Sequence, residues 1–150
     1  MKEQLYWGKL TWWLFHTIAE KMNDIKELSN ITNLIILICH NLPCPYCKDH
    51  AKIYLNKKPI NKMVKTKEEL KKYIYDFHNV VNLRTKKNIY PPEILNQYTN
   101  VNLGVLLNNW IRFFKIYRIT PYVMKEHIER EKIKKKVSEY LILNQNKFTN

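Results

Sequence analysis

Two of the three cysteines, Cys44 and Cys47, are separated only by Pro45-Tyr46. Proline is well tolerated where a helix begins, because the first amide donors are unpaired there anyway. The tetrapeptide therefore reads as a helix N-terminus, and residues three apart on a helix share a face. Two sulfurs so placed can close a small disulfide ring. The free amides and the helix dipole favour the thiolate form of the first cysteine and make it the point of exchange. That is the chemistry of a redox dithiol. The same spacing also serves metals: Cys39, His40, Cys44, Cys47 and His50 fall within twelve residues, and zinc takes four such ligands. Against zinc, no second Cys-x-x-Cys occurs in the chain. Cys39 lies in an apolar stripe and reads as a small buried hydrophobe.

The elements that must hold this dithiol are helical, since apolar residues recur at helical spacing and no run alternates cleanly with period two. A first helix is expected from about Thr11 to Met22, with Trp12, Phe15, His16 and Ala19 on one face. Leu28, Ile31, Ile35, Ile38 and Leu42 form a second stripe, although Leu34 to Ile38 is apolar on every side and also reads as a buried strand. A third helix starts at Pro43-Cys44-Pro45. Thr66-Lys67-Glu68-Glu69 has capping-box spacing and opens a helix through about Leu83, striped by Leu70, Ile74, Phe77 and Val81. Pro91-Pro92-Glu93 begins a short helix to about Tyr98, and Leu106, Trp110, Phe113, Phe114 and Tyr117 mark a longer one. Thr120-Pro121 starts a last, basic helix to Leu143. The only plausible seam is Tyr98 to Asn102.

The chain has 150 residues, 45% of them hydrophobic, enough for one domain with a real core. Two glycines, Gly8 and Gly104, cannot supply a G-x-G-x-x-G or a Walker A loop, so nucleotide sites of those kinds are excluded. The longest apolar run, Leu34 to Cys39, is far short of the roughly 20 residues that span a bilayer. The N-terminus has no apolar stretch of a secretory signal, and a soluble protein is expected. The net charge of +13 is spread over both halves of the chain with no basic tail. It reads as solvated surface, and nucleic acid is not the expected partner.

Cys-Pro-Tyr-Cys is also the active-site tetrapeptide of glutaredoxins, but the residues after Cys47 are helical in pattern, with no glycine before Gly104 to build that fold. Three motifs in order resemble another family. They are Trp7-Gly8-Lys9-Leu10-Thr11-Trp12-Trp13-Leu14-Phe15-His16, then Cys44-Pro45-Tyr46-Cys47 followed by His50 and Tyr54-Leu55, then Phe77-His78-Asn79-Val80-Val81-Asn82. Together they resemble the FAD-linked sulfhydryl oxidases of the Erv/ALR type, and the short form with His50 and Tyr54-Leu55 looks most like members from large DNA viruses. The likeness covers about residues 5 to 98. Lys9 stands where the family has proline, Phe15 where it has leucine, Tyr73 where it has tryptophan, and Thr85-Lys86 where it has Leu-Gly.

This resemblance implies an all-α fold, a small four- to five-helix bundle over residues 1–100, with 101–150 as a C-terminal helical extension. It implies FAD as cofactor and Cys44 and Cys47 as the catalytic pair, with the second cysteine beside the flavin. The flavin positions carried over are Trp7, Gly8, Trp12, His16, His50, Tyr54, His78, Asn79, Val81 and Asn82, with Lys87 and Tyr90 toward the phosphates and adenine. Trp12 and His16 are four apart on one helix, as are His78 and Asn82 on another, so each helix offers one polar-aromatic patch. Expected partners are a protein dithiol, such as a thioredoxin-like or Cys-x-x-Cys carrier, with O2 as acceptor and a second copy of the chain as a homodimer. No metal is expected. The expected location is viral-type cytoplasmic, with the mitochondrial intermembrane space also open. The competing reading is a basic helical adaptor without flavin, its dithiol or a bound zinc acting as a clip.

Overall fold

In the computed structural model, which describes residues 2–116 and 120–149, the chain folds as an all-α protein. Helix α1 (Lys2–Lys21) begins well before Thr11. Lys9 has the amide that the family's proline would lack, and Trp7, Leu10 and Leu14 carry the buried stripe upstream, so nothing stops the helix at its expected start. After a 3₁₀ turn (Ile25–Glu27), α2 (Leu28–Cys39) buries Ile31, Leu34, Ile35, Ile38 and Cys39. The all-apolar run is thus helix rather than strand: Ile36 and Leu37 are the half-buried outer side of a three-four stripe. Among the described residues no strand forms, only one isolated antiparallel bridge between Met22 and Phe148.

Helix α3 (Pro45–Lys57) starts within the expected Pro43-Cys44-Pro45, with Cys44 as its cap. A one-turn helix, α4 (Ile60–Met63), precedes α5 (Lys67–Arg84), whose cap Thr66 accepts from the Glu69 amide at 3.1 Å. Pro92–Tyr98 is a 3₁₀ rather than an α segment. Helix α6 (Leu103–Phe113) is capped by Asn102 and ends short of Tyr117, which lies outside the described residues. Helix α7 (Met124–Leu143) begins after a turn at 121–123, past the expected Thr120-Pro121 start.

Helix α1 is the centre of the bundle, packing against α5, α6 and the Pro92–Tyr98 segment. Fully buried Trp110 of α6 donates its Nε1–H to Thr11 Oγ1 at 3.1 Å, and Thr11 donates onward to the Trp7 carbonyl at 2.6 Å. On the other side α2 packs against α3, α4 and α7, with Ile133, Val137 and Leu141 of α7 buried. One contiguous core therefore takes side chains from both sides of the Tyr98–Asn102 seam. Glu27 is buried between Tyr140, Asn30 and Lys147, all three bonded to its carboxylate. No helix among the described residues is long and apolar enough to cross a membrane.

Candidate functional site

Cys44 and Cys47 are joined by a disulfide, their Cα atoms 5.2 Å apart. Cys44 has the extended backbone of a helix cap, so its Sγ lies under the first free amides of α3 and accepts from the Cys47 N–H at 3.1 Å. Both sulfurs' residues are half-buried against the core, while Tyr46 between them is 61% exposed. The dithiol is therefore reachable from solvent on one side and packed on the other. His50, one turn on, meets the Tyr46 ring edge-on at 4.3 Å. Cys39, by contrast, is free and buried, and burial pushes its thiol up to about 12. Among the described residues no three His, Cys, Asp or Glu side chains gather as a metal would need.

Further along α3, Tyr54 meets an aromatic face presented by α1 and α5. Trp12 stacks on His78 at 4.3 Å, nearly parallel, and meets Phe77 edge-on at 5.1 Å. Phe77 in turn stacks on Tyr54 of α3 at 4.2 Å, so the rings run unbroken from the dithiol helix to α1. His16 Nε2 and His78 Nδ1 lie 3.0 Å apart in a hydrogen bond, and His16 stacks on buried Tyr98 at 4.5 Å. Two imidazoles can share that bond while both are neutral, one donating and one accepting. Burial, with the charge of its partner His78 second, lowers His16 to about 3; burial, then Lys87, lowers His78 to about 4. The pair is thus uncharged at neutral pH.

The segment after α5 is tied back to this face. Asn79 donates from Nδ2 to the Tyr90 carbonyl at 3.0 Å and accepts from the Tyr90 N–H at 2.8 Å. Tyr75 donates to the same carbonyl at 2.6 Å, and buried Asn82 donates to Asn79 at 3.4 Å. The Lys87 amide donates to the Asn82 carbonyl at 2.8 Å, and Tyr90 meets His78 edge-on at 5.1 Å. Lys86 has φ of 60°, the left-handed conformation that glycine adopts most easily, at the position where the family motif carries glycine. The chain makes this turn with a lysine in place of a glycine.

The structure brings together Trp12, His16, Tyr54, His78, Asn79, Asn82 and Tyr90, with half-buried Val81 beside them on α5 and Lys87 near enough to act on His78. Trp7 and Gly8 lie a turn and more upstream. Trp7 packs edge-on against Phe114 at 6.3 Å, and Gly8 has open space where a side chain would begin. Sequence reasoning did not place Phe77 or Tyr98 in this cluster: one reads as ordinary stripe and the other as a helix end. Arg84, close to Lys87 in the chain and by its charge a further candidate for the phosphates, has its guanidinium 5.6 Å over the Tyr46 ring, with its buried Nε lacking a hydrogen-bond partner.

These groups fit a flavin dinucleotide. The Trp12, His78 and Tyr54 rings can face a flat heterocycle, and uncharged imidazoles and amides can bond its edges. Arg84 Nε is an unfilled donor, and Lys86 and Lys87 are exposed cations close to it in the chain, suited to phosphate.

Residues 9–100 match the model of the Erv1 / Alr family. The chain is 34% identical over 84 residues to a protein of invertebrate iridescent virus 3 provisionally named an FAD-linked sulfhydryl oxidase, covering 54% of this chain and 57% of that one. It is 33% identical over 104 residues to the FAD-linked sulfhydryl oxidase of an African swine fever virus isolate, covering 61% and 86%. With the FAD-linked sulfhydryl oxidase ERV1 of Oryza sativa it shares 30% identity over 92 residues, covering 59% and 46%. The chain thus spans little more than half of the iridescent virus relative and under half of the plant one. No solved structure matches it significantly.

Proposed function

The chain belongs to the Erv1/Alr family, and from that premise we propose that it is an FAD-dependent sulfhydryl oxidase that makes disulfides in protein dithiols. The observation that carries this is the Cys44–Cys47 disulfide at the start of α3, the helix whose Tyr54 stacks on Phe77 beside the Trp12–His78 face. Trp12, His16, Tyr54, His78, Asn79, Val81, Asn82 and Tyr90 hold the flavin, Lys87 serves its phosphates, and His50 closes the pocket beside the dithiol. Gly8 leaves open space one helical turn before Trp12, and Trp7 supports the site from behind by fixing α1 against Phe114. When bound, FAD supplies the two-electron acceptor that O2 reoxidises, with hydrogen peroxide as product.

The residues of the chain do the exchange. A substrate thiolate attacks Cys44 Sγ, forming a mixed disulfide and releasing Cys47 as thiolate. The second substrate thiolate then attacks the substrate sulfur of that bond and expels Cys44 as thiolate. The substrate leaves with a disulfide, and its two electrons remain on the Cys44/Cys47 pair. The Cys47 N–H stabilises the departing Cys44 sulfur, which is the geometry seen at 3.1 Å. The pair packs against the core on one side, and the buried His16 and His78 imidazoles add no charge of their own at neutral pH.

Residues 1–100 carry the dithiol and flavin residues of the oxidase domain, and 101–150 are a C-terminal helical extension that completes the same core. The substrate is an external protein, such as a thioredoxin-like or Cys-x-x-Cys carrier, since Cys39 is too deeply buried to relay electrons. The working form is a homodimer in a viral-type cytoplasmic setting, where a reducing compartment requires a dedicated oxidase. The test is the visible spectrum of the purified protein before and after dithiothreitol in air. A flavin band that bleaches and returns as oxygen is consumed supports the proposal. Cys44→Ser and Cys47→Ser should each retain bound flavin and lose turnover. A protein that cannot be loaded with FAD would sink it.

A further inference from the structure

The turn that leads into Cys44 is held from outside the family-matched region. Arg130, on α7 and 2% exposed, donates from Nε to the Asn41 carbonyl at 2.8 Å and from Nη2 to the Leu42 carbonyl at 3.3 Å. These carbonyls sit just past the end of α2, where backbone acceptors have no partner within the helix and a cation is favoured. Glu126, at 3.4 Å, balances the guanidinium, so its effect on the dithiol is one of geometry more than charge. Two residues after Leu42 the chain reaches Cys44, which must keep its extended cap conformation for Sγ to meet Cys47. Burying an arginine is costly, and two charge-assisted bonds to one short turn are what offset that cost here.

We infer that Arg130 is a positioning residue for the redox pair: the C-terminal segment fixes the Asn41–Leu42 turn, and through it holds Cys44 where its disulfide with Cys47 closes. The inference rests on Cys44–Cys47 being the exchanging pair. Loosening the turn lets Cys44 swing, which lowers the local concentration of one thiol at the other and makes the disulfide easier to reduce.

The full-length protein is equilibrated without oxygen in mixtures of reduced and oxidised glutathione at pH 7. The fraction of Cys44/Cys47 dithiol is then read by alkylation and mass. Each protein disulfide reduced consumes two glutathione thiols and yields one oxidised glutathione, so the equilibrium constant follows directly. For Arg130→Gln the constant should shift about tenfold toward the dithiol, which is about 30 mV. Arg130→Lys, which keeps one charged donor, should shift less in the same direction. Lys134→Gln removes another buried cation of α7, one whose bond runs to Glu131, and should leave the constant unchanged. The inference fails if Arg130→Gln melts lower yet keeps the wild-type constant, or if Lys134→Gln shifts it equally. Should Arg130→Gln not fold, a wild-type constant in Arg130→Lys overturns it. The measurement needs no turnover. A protein that shows these shifts but consumes no oxygen with dithiothreitol would refute the oxidase proposal and leave the role of Arg130 standing.

Discussion

Lys86 is a single residue at which the chain accepts strain to keep a turn. Its φ of 60° lets the Lys86 amide reach the Leu83 carbonyl and the Lys87 amide reach that of Asn82, closing the end of α5. A residue with a Cβ in that conformation is disfavoured by roughly 1–2 kcal/mol, part of which glycine gives back through its freer unfolded state. Lys86→Gly should therefore raise stability by about 1 kcal/mol in urea unfolding; a loss of stability would show that the side chain itself holds the turn. His16 and His78 set a pH dependence of definite sign. An unfolded imidazole takes a proton near 6.5, whereas the folded pair stays neutral down to about 4 and about 3. Their contribution is complete above pH 6.5 and is lost as the pH falls through that window, because the unfolded state then binds more protons. Urea midpoints should decline below pH 6.5, and less steeply in His78→Gln. Equal slopes in the two proteins would assign the decline elsewhere. His40, also lowered by burial and by Lys52, is intact in both.

At the scale of elements, Asn79 is what joins α5 to the segment that follows it. Its amide both donates to and accepts from Tyr90, a two-sided clamp of the kind a strand partner would give. Asn79→Ala should free that segment: amide exchange at Tyr90 should speed at least tenfold, and stability should fall by about 1–2 kcal/mol in the flavin-free protein. Exchange as slow as in the wild type would assign the segment's order to Tyr75 instead. The sequence reveals α5 from its cap and stripe, and it reveals that Trp12 with His16, and His78 with Asn82, share a face, because spacing alone decides both. It does not reveal α4, whose four residues are too few for a period to register. The early start of α1 escapes the stripe Trp12, Phe15, His16 and Ala19, because a second buried stripe, Trp7, Leu10 and Leu14, carries the helix upstream. That Trp7 turns to Phe114 while Tyr98 turns to His16 depends on partners far along the chain, which no local pattern encodes. The hold of Arg130 on the Asn41–Leu42 turn is hidden for the same reason, in a helix that reads as a basic solvated surface.

For the whole molecule the question is what the last third of the chain does for the rest. Helix α6 lies along α1, burying Trp110 completely and filling one side of the helix whose other side carries Trp12 and His16. Trp110 also satisfies Thr11, so its loss leaves both a cavity and a disturbed polar pair. Trp110→Ala should cost about 3–5 kcal/mol, which in a chain of this size lowers Tm by roughly 10 °C or more. Ending the chain at Asn100 removes Trp110 together with Phe114, Ile133, Val137, Leu141 and Phe148, all buried in the common core. The truncated chain should then expose a broad apolar face, bind a hydrophobic dye and lose cooperative unfolding, since its remaining core is too small and too open. Because α1 is shared between that core and the aromatic face, flavin affinity should fall in step with stability, and Trp110→Phe should preserve both better than Trp110→Ala. Cooperative unfolding of residues 1–100 at the full-length midpoint would show instead that α6 and α7 only cover a unit already complete without them.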